Sequence, residues 1–154
     1  MLETSINVRE LGHLVLYVRD VERSAAFYRD VLGFRQVSDE GLRGIPVAAF
    51  SSGRTHHELL LIEVGPSAAP VPAGRRVGLY HFGLKIGDSD DDLRAALAQL
   101  RTHGVTVVGA TDHTVTHSLY LLDPDGNEIE LYVDVPGVAW DASALMSTPK
   151  PLNL

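Results

Sequence analysis

Two histidines and one glutamate occupy positions in strand-like segments where they could together bind a metal ion. His13 is the third residue of LGHLVLYV, and His81 is the third residue of LYHFGLKI. Glu130 lies on the polar side of a later alternating segment, EIELYVD. Two imidazoles and one carboxylate leave several metal positions open, and this set suits a non-haem Fe(II) that binds substrate and O₂ together. A single histidine on a strand is more often a packed structural residue, so the prediction depends on the repeated position.

The segment around Glu130 has the pattern of two strands joined by a tight turn. Pro124 and Gly126, within DPDGN, are typical turn residues. In the following strand acidic residues alternate with hydrophobic ones, so that one face can pack on a core and the other carries carboxylates. A carboxylate in the middle of such a strand needs solvent, a cation or a metal. Solvent is the simpler interpretation for a lone glutamate, and the two histidines favour a metal.

The elements that would position these residues form an internal repeat. A β-α-β-β-β pattern occupies residues 11–64 and again 79–134, with a Pro-, Gly- and Ala-rich connector over 65–78. The tail, 135–154, is irregular and contains Trp140 and Leu145 as candidate packing anchors. The predicted strands are Leu11–Val18, Phe34–Ser38, Ile45–Ser51, His57–Val64, Leu79–Ile86, Val105–Val108, Thr116–Leu122 and Glu128–Val133. The predicted helices are Val21–Leu32, capped by Asp20, and a second one from Asp88 or Ser89 to about Thr102.

Two copies of a small unit usually pair about a pseudo-twofold axis. Neither copy has enough strands to bury its helix and sheet alone, so we expect one domain over residues 1–154 in which the copies pair. The strands that begin the copies would then meet at the axis. We then expect His13, His81 and Glu130 to lie close together in one concave site.

The composition restricts the classes of function. The 154-residue chain carries a formal net charge of −7, which argues against nucleic acid and against anionic membrane surfaces. It contains no cysteine, so a metal must be bound by histidine and carboxylate, as is typical of Fe, Mn, Ni or Zn. The sequence has neither a secretory signal nor an apolar run long enough to span a bilayer, and the expected compartment is the cytoplasm.

Taken together, several segments resemble one known family. The segments are LGHLVLYVRDVERSAAFYRDVLGF, the pair His56-His57, GLYHFGLKIG and DHTVTHSLYLLDPDGNEIELYVD. In this order they are similar to the vicinal oxygen chelate superfamily, which includes glyoxalase I, the bleomycin- and fosfomycin-resistance proteins and the type I extradiol (catechol 2,3-) dioxygenases. The resemblance runs from about Leu11 to Asp134. It implies an α+β fold in which two paired βαβββ modules form a curved mixed sheet around a metal site, and it implies a homodimer.

The dioxygenase branch resembles this chain most, and it implies roles for individual residues. Its metal ligands correspond to His13, His81 and Glu130, and its acid/base histidine corresponds to His57. Its histidine and tyrosine near the final hairpin correspond to His113 and Tyr120, which would hydrogen-bond the substrate oxygens. The segment between these two residues is shorter here than in the large ring-cleaving enzymes. Those enzymes also carry an additional non-metal domain, for which we expect no counterpart in this chain.

Two of these assignments have simpler alternatives. His56-His57 has the pattern of an exposed turn pair as well as of a catalytic site. On a strand His113 and Tyr120 would face opposite ways, so a shared site requires His113 to lie in the preceding turn. His113 and His117 are four residues apart, which on a helix would indicate zinc, but the Thr and Val residues around them favour a strand or turn.

Three functions are compatible with this sequence. The first is an Fe(II)-dependent extradiol-type dioxygenase that acts on a small catechol-like aromatic and O₂, with Mn(II), Ni(II) or Zn(II) as alternative metals.

The second is a glyoxalase I-type metal-dependent lyase or isomerase, which needs a fourth protein ligand. Glu58 is its candidate. Aligning HEL with IEL places Glu58 opposite Glu130, whereas aligning the strand ends places Leu59 there. The third is a non-enzymatic drug-binding protein of the bleomycin-resistance kind. Such a protein would not need His13, His81 and Glu130 together.

Overall fold

The computed structural model describes residues 6–141 and 147–154. The chain divides into two compact units, an N-terminal unit of Met1–Ala68 and a C-terminal unit of Ala69–Leu154. Leu145, expected to anchor the tail, lies outside the described residues. Trp140 is 71% exposed and does not serve as the packing anchor that the sequence suggested. In the described part of the chain, no helix combines the length and hydrophobicity needed to cross a membrane.

The N-terminal unit has one helix against a four-stranded sheet. The sheet order is β1-β4-β3-β2, in which β1 runs parallel to β4 and the other neighbours are antiparallel. The helix α1 continues as a turn of π-helix over Phe27–Val31, in which Leu32 N–H donates to the Phe27 carbonyl at 3.2 Å. Its elements are β1 (Leu14–Val18), α1 (Val21–Ala26), β2 (Arg35–Ser38), β3 (Val47–Ser51) and β4 (Leu59–Glu63).

The C-terminal unit repeats this topology and adds one strand from the tail. The sheet order is β5-β8-β7-β6-β9, and β5 runs parallel to β8. The added strand β9 pairs with β6 through Thr111 and Asp112. Its two residues lie at the sheet edge, where proline is tolerated. The sequence did not predict β9, because a two-residue strand is too short to show an alternating pattern. The elements are β5 (His81–Gly87), α2 (Asp90–Thr102), β6 (Val107–Asp112), β7 (Thr116–Leu122), β8 (Glu128–Asp134) and β9 (Lys150–Pro151).

The predicted βαβββ repeat is therefore confirmed, but several boundaries differ. The most important difference concerns His13 and His57, which the sequence predicts in strands; His13 instead lies one residue before β1, and His57 lies two residues before β4. Both segments have an apolar sequence, yet the ladder begins only where Leu14 N–H donates to the Glu58 carbonyl at 2.8 Å. Both histidines therefore lie outside the strands, and their positions depend on contacts other than the hydrogen bonds of the sheet.

Each sheet buries one face against its helix. In the C-terminal unit Ile129, Leu131 and Val133 of β8 are buried, and so are Leu93 and Leu100 of α2. In the N-terminal unit the core contains Leu16, Val18, Tyr28, Phe50, Leu59 and Leu61. Because side chains alternate along a strand, the residues between these positions are turned to the opposite face of the sheet.

The start of α2 is fixed by a capping box. The Ser89 side chain accepts from the Asp92 N–H, and Asp92 Oδ2 accepts from Ser89 N at 3.0 Å and from Ser89 Oγ at 2.8 Å. These bonds, led by the Ser89 hydroxyl, lower the pKa of the Asp92 carboxyl. The Asp92 carboxylate lies directly over Gly87, where a Cβ would overlap it.

We expect Gly87→Ala to destabilise the protein by about 1–3 kcal/mol, because the new methyl group must displace the carboxylate that caps α2. Urea unfolding followed by circular dichroism measures the effect. Gly12→Ala is the matched control, since no heavy atom lies within 4 Å of its Cβ position and its φ is not positive. Equal stability of the two variants would contradict the prediction.

Candidate metal centre and acid/base residues

The parallel pairing of β5 and β8 brings His81 and Glu130 together in the C-terminal unit. His81 is opposite Glu128, and Gly83 is opposite Glu130. The His81 Nε2 atom lies 3.2 Å from Glu130 Oε2. A Cβ at Gly83 would lie 3.5 Å from Glu130 Oε2, which is ordinary van der Waals contact, and 3.3 Å from the Tyr132 ring, which is tighter.

The other oxygen of Glu130 is held by two hydroxyl groups from β7. Ser118 Oγ donates to Glu130 Oε1 at 2.6 Å, and Tyr120 OH donates to the same oxygen at 3.1 Å. Ser118 is fully buried and the Glu130 side chain is only 16% exposed. A half-buried carboxylate is stabilised by such donors. Oε1 is thereby fixed, and Oε2 is left facing His81.

This pair has the geometry expected of two ligands on one metal. Ligands at about 2.0–2.2 Å from a metal and at right angles are about 3 Å apart, which is close to the observed Nε2–Oε2 separation. The other ring nitrogen, His81 Nδ1, is buried and has no hydrogen-bond partner among the described residues. Its nearest acidic group is Glu128, whose Oε1 lies 3.7 Å away. The donor set of imidazole and carboxylate is one that Fe, Mn, Ni or Zn accepts.

His113 lies in the turn after β6 and reaches Tyr120 from there. Its Nε2 atom is 2.7 Å from Tyr120 OH. The turn is strained, because Thr114 has a φ of +73° and Val115 N–H donates back to the His113 carbonyl at 2.9 Å. Asp112 Oδ1 accepts from Thr114 N at 2.6 Å, and Ser147 Oγ bonds Thr114 Oγ1 at 2.8 Å. The condition for His113 and Tyr120 to share a site is therefore met.

The Tyr120 hydroxyl joins His113 to Glu130 and remains protonated. Burial, then the charge of Glu130 and the hydrogen bond to it, raise the pKa of Tyr120 far above its ordinary value. Its ring also contacts His81 with the centroids 5.5 Å apart. At neutral pH Tyr120 is thus a hydrogen-bond donor.

His117 does not share this arrangement. Its Nδ1 atom is 2.6 Å from Asp90 Oδ1 at the start of α2, and its Nε2 atom is 3.6 Å from Asp112 Oδ1. Because His117 is an odd number of residues from Ser118 and Tyr120 on β7, it points to the helix side of the sheet. The zinc pairing of His113 with His117 is not formed.

In the N-terminal unit, His13 and His57 face each other. Their ring centroids are 5.0 Å apart, and His56 Nδ1 lies 2.6 Å from His57 Nδ1. Burial, with the nearby His56 and His13, lowers the pKa of His57 against the opposing charge of Glu58. His57 is therefore neutral at pH 7 and able to accept a proton.

The strand register identifies the counterpart of Glu130 in the first repeat. In β1 and β4, Leu14 is opposite Leu59 and Val15 is opposite Leu60, while Gly83 is opposite Glu130 in the second repeat. Since His13 and His81 are equivalent in the sequence repeat, Leu60 corresponds to Glu130. Both alignments considered from the sequence were wrong, the one that placed Glu58 there by two residues and the one that placed Leu59 there by one.

Glu58 corresponds instead to Glu128 and has other partners. Its carboxylate accepts from Ser52 N at 2.7 Å and from Ser52 Oγ at 2.9 Å, and it pairs with Arg54 at 3.4 Å. Burial raises the pKa of the Glu58 carboxyl, but the Ser52 bonds and the Arg54 charge outweigh it and leave the pKa lowered. Glu58 is thus an anionic anchor of the β3–β4 connection.

The candidate ligands are divided between the two units. His13 belongs to the N-terminal unit, and His81 and Glu130 belong to the C-terminal unit. Within either unit, the described residues include no group of three histidine or acidic side chains arranged to hold a metal ion. Ser118 was not among the predicted site residues. Its position two residues before Tyr120, on the same face of β7, is the signal that could have identified it.

Comparison with known proteins agrees with this description. Residues 10–131 match the family described as the Glyoxalase/Bleomycin resistance protein/Dioxygenase superfamily. The catechol-2,3-dioxygenase of Bacillus subtilis (strain 168) is 42% identical over 130 residues, which cover 84% of this chain and 43% of that protein. Biphenyl-2,3-diol 1,2-dioxygenase 3 of Rhodococcus globerulus is 32% identical over 125 residues, which cover 80% of this chain and 63% of that protein. The chain thus spans less than two thirds of either relative.

A solved structure confirms the fold. The glyoxylase/bleomycin resistance protein/dioxygenase domain from Frankia sp. EAN1pec superposes with a TM-score of 0.70 at 19% identity, over 83% of this chain and 99% of that one. The similarity supports the α+β class that the sequence predicted. Since the family match covers well over half of the sequence and two units have the expected βαβββ topology, this chain belongs to the Glyoxalase/Bleomycin resistance protein/Dioxygenase superfamily.

Proposed function

We propose that this protein is a metal-dependent extradiol-type dioxygenase that cleaves a small catechol-like aromatic with O₂. The observation that carries the proposal is the bonding of Glu130. One oxygen is fixed by Ser118 and Tyr120, and the other faces His81 at 3.2 Å. The names of the two relatives, both dioxygenases of aromatic diols, favour the same chemistry.

We assign the metal to His13, His81 and Glu130, with Fe(II) as the metal and Mn(II), Ni(II) or Zn(II) as alternatives. Two neutral imidazoles and one carboxylate would leave a single net positive charge and three open positions. When bound, Fe(II) would bring the aromatic diol and O₂ together and supply the redox chemistry of ring cleavage. The 3.2 Å separation of His81 Nε2 from Glu130 Oε2 and the imidazole–carboxylate donor set are compatible with this ligand role.

The remaining residues would handle protons and position the substrate. His57, kept neutral by its lowered pKa, would accept a proton from the substrate hydroxyl and return it later in the reaction. Tyr120 and His113, joined at 2.7 Å, would hydrogen-bond the substrate oxygens. Tyr120 has one hydroxyl hydrogen, which it donates to Glu130 Oε1 at 3.1 Å, so it would donate to a developing negative charge on the substrate by turning away from that carboxylate.

The lyase alternative is disfavoured by the register of the first repeat. A fourth ligand at the position of Glu130 would have to come from Leu60, which has no donor atom, and Glu58 is already bound to Ser52 and Arg54. The binding-protein alternative does not account for the bonding of Glu130. We further propose a homodimer, from the resemblance alone. From the net charge of −7 we propose that neither nucleic acid nor an anionic membrane is a partner, and the cytoplasm is the expected compartment.

We expect His81→Ala and Glu130→Gln each to abolish Fe(II) binding, because each removes one of three ligands. The measurement is metal analysis after anaerobic Fe(II) loading, followed by addition of catechol and O₂ and detection of the yellow ring-cleavage product. His103→Ala, at the exposed C-terminal end of α2, is the matched control. Wild-type metal content in His81→Ala would disprove the assignment.

The role of Glu58 separates the dioxygenase from the lyase. We expect Glu58→Gln to bind as much metal per chain as the wild type, because its carboxylate is an anchor and not a ligand. Metal analysis of the loaded variant, side by side with Glu130→Gln, provides the measurement. Loss of the metal from both variants would favour a four-ligand site.

His57→Phe should retain the metal but lower kcat by about 10²–10⁴, the usual contribution of a general acid/base residue. Steady-state kinetics with the catechol, together with metal analysis, separates loss of chemistry from loss of metal. His103→Phe is the control, since that histidine lies at the exposed C-terminal end of α2, in the other unit. Equal losses in the two variants would argue against the role of His57.

A further inference from the structure

Arg54 makes an unusual set of contacts with the segment that leads to His13. It lies in the connection between β3 and β4, the same connection that carries His57. One terminal nitrogen is 3.0 Å from Glu10 Oε2. The other donates to the carbonyls of Leu11, at 3.3 Å, and Gly12, at 3.0 Å.

These contacts hold His13 from its N-terminal side. His13 precedes β1, so the sheet itself does not fix its backbone. The ladder begins one residue later, where Leu14 N–H bonds the Glu58 carbonyl at 2.8 Å. His13 is therefore between two attachments to the β3–β4 connection, one made by Arg54 and the other by the backbone of Glu58.

The guanidinium is itself fixed from the opposite direction. Its Nε atom is 3.4 Å from Glu58 Oε1, and Glu58 is bound to both the N–H and the hydroxyl of Ser52. A planar fork with five donors can serve two carboxylates and two carbonyls at once. A lysine has a single nitrogen, and it could satisfy the charge of one carboxylate without reaching the same set of acceptors.

We propose that Arg54 is a positioning residue, which sets the distance of His13 from His57 and presents the His13 imidazole to the metal. The inference rests on the proposed function, because the metal is assigned there. Arg54 touches neither the substrate nor the metal in this role. It acts through the carbonyls of Leu11 and Gly12, and Glu58 serves it as an anchor.

The test uses the full chain with Arg54→Lys and Arg54→Ala. Metal affinity is measured by anaerobic titration with Fe(II) and with Co(II), which serves as a spectroscopic probe. We expect both variants to bind metal at least about tenfold more weakly than the wild type, because this is the usual cost of losing a group that orients a ligand. The visible Co(II) spectrum of Arg54→Lys should also change, because His13 meets the metal at a different angle. The matched controls are Arg94→Lys and Arg94→Ala, since Arg94 is an exposed arginine paired with Asp91 on α2. Wild-type affinity and spectrum in both Arg54 variants would overturn the proposal.

A second measurement on metal-free protein separates this inference from the proposed function. Hydrogen exchange at the Leu14 amide should be about tenfold faster in Arg54→Lys, because the variant loses the carbonyl bonds that hold the preceding residues. If the wild type binds no metal but exchange accelerates, the proposed function fails and the attachment of His13 by Arg54 stands. If the wild type binds metal and exchange is unchanged, the role of Arg54 fails alone.

Discussion

The parallel pairing of the first and last strand of each βαβββ repeat is the constraint on which the rest of the structure depends. In the C-terminal unit it places His81 opposite Glu128 and Gly83 opposite Glu130. The same register buries Ile129, Leu131 and Val133 against the helix. A slip by one residue would exchange the two faces of β8 and bury the carboxylates. The geometry of the candidate metal ligands is therefore maintained by the hydrophobic core behind them.

A carboxylate at this position also requires local stabilisation, and β7 supplies it. Ser118 and Tyr120 lie on the face of β7 that meets Glu130, and both donate to one oxygen. The Tyr120 hydroxyl also lies 2.7 Å from His113 Nε2, and His113 occupies the strained turn that contains Thr114. A buried polar network of this kind is stabilising when its members are satisfied. His81 meets this network through Nε2, which lies 3.2 Å from Glu130 Oε2, whereas its Nδ1 atom is buried without a hydrogen-bond partner among the described residues.

The two repeats share their topology but have diverged in chemistry. At the position of Glu130 the first repeat has Leu60, and at the position of Glu128 it has Glu58, which binds its own connection. His13 and His57 of the first repeat lie before its strands, whereas His81, Tyr120 and Glu130 of the second repeat lie on strands. Within a superfamily that contains several activities, the fold alone does not decide the reaction, and substitutions such as Leu60 limit the chemistry that is available.

The sequence by itself determined the repeat, the fold class and the candidate residues. Alternating hydrophobicity is a local property, and the cap at Ser89, the turn at Gly126 and the recurrence of His13 at His81 can all be recognised within short windows. The strand register, the turn position of His113 and the contacts of Arg54 were decided by the tertiary structure. Each depends on hydrogen bonds between residues far apart in the chain, such as Arg54 with Gly12 and Ser118 with Glu130. Local patterns do not specify such pairs, because the same alternation is compatible with more than one register until the strands pair.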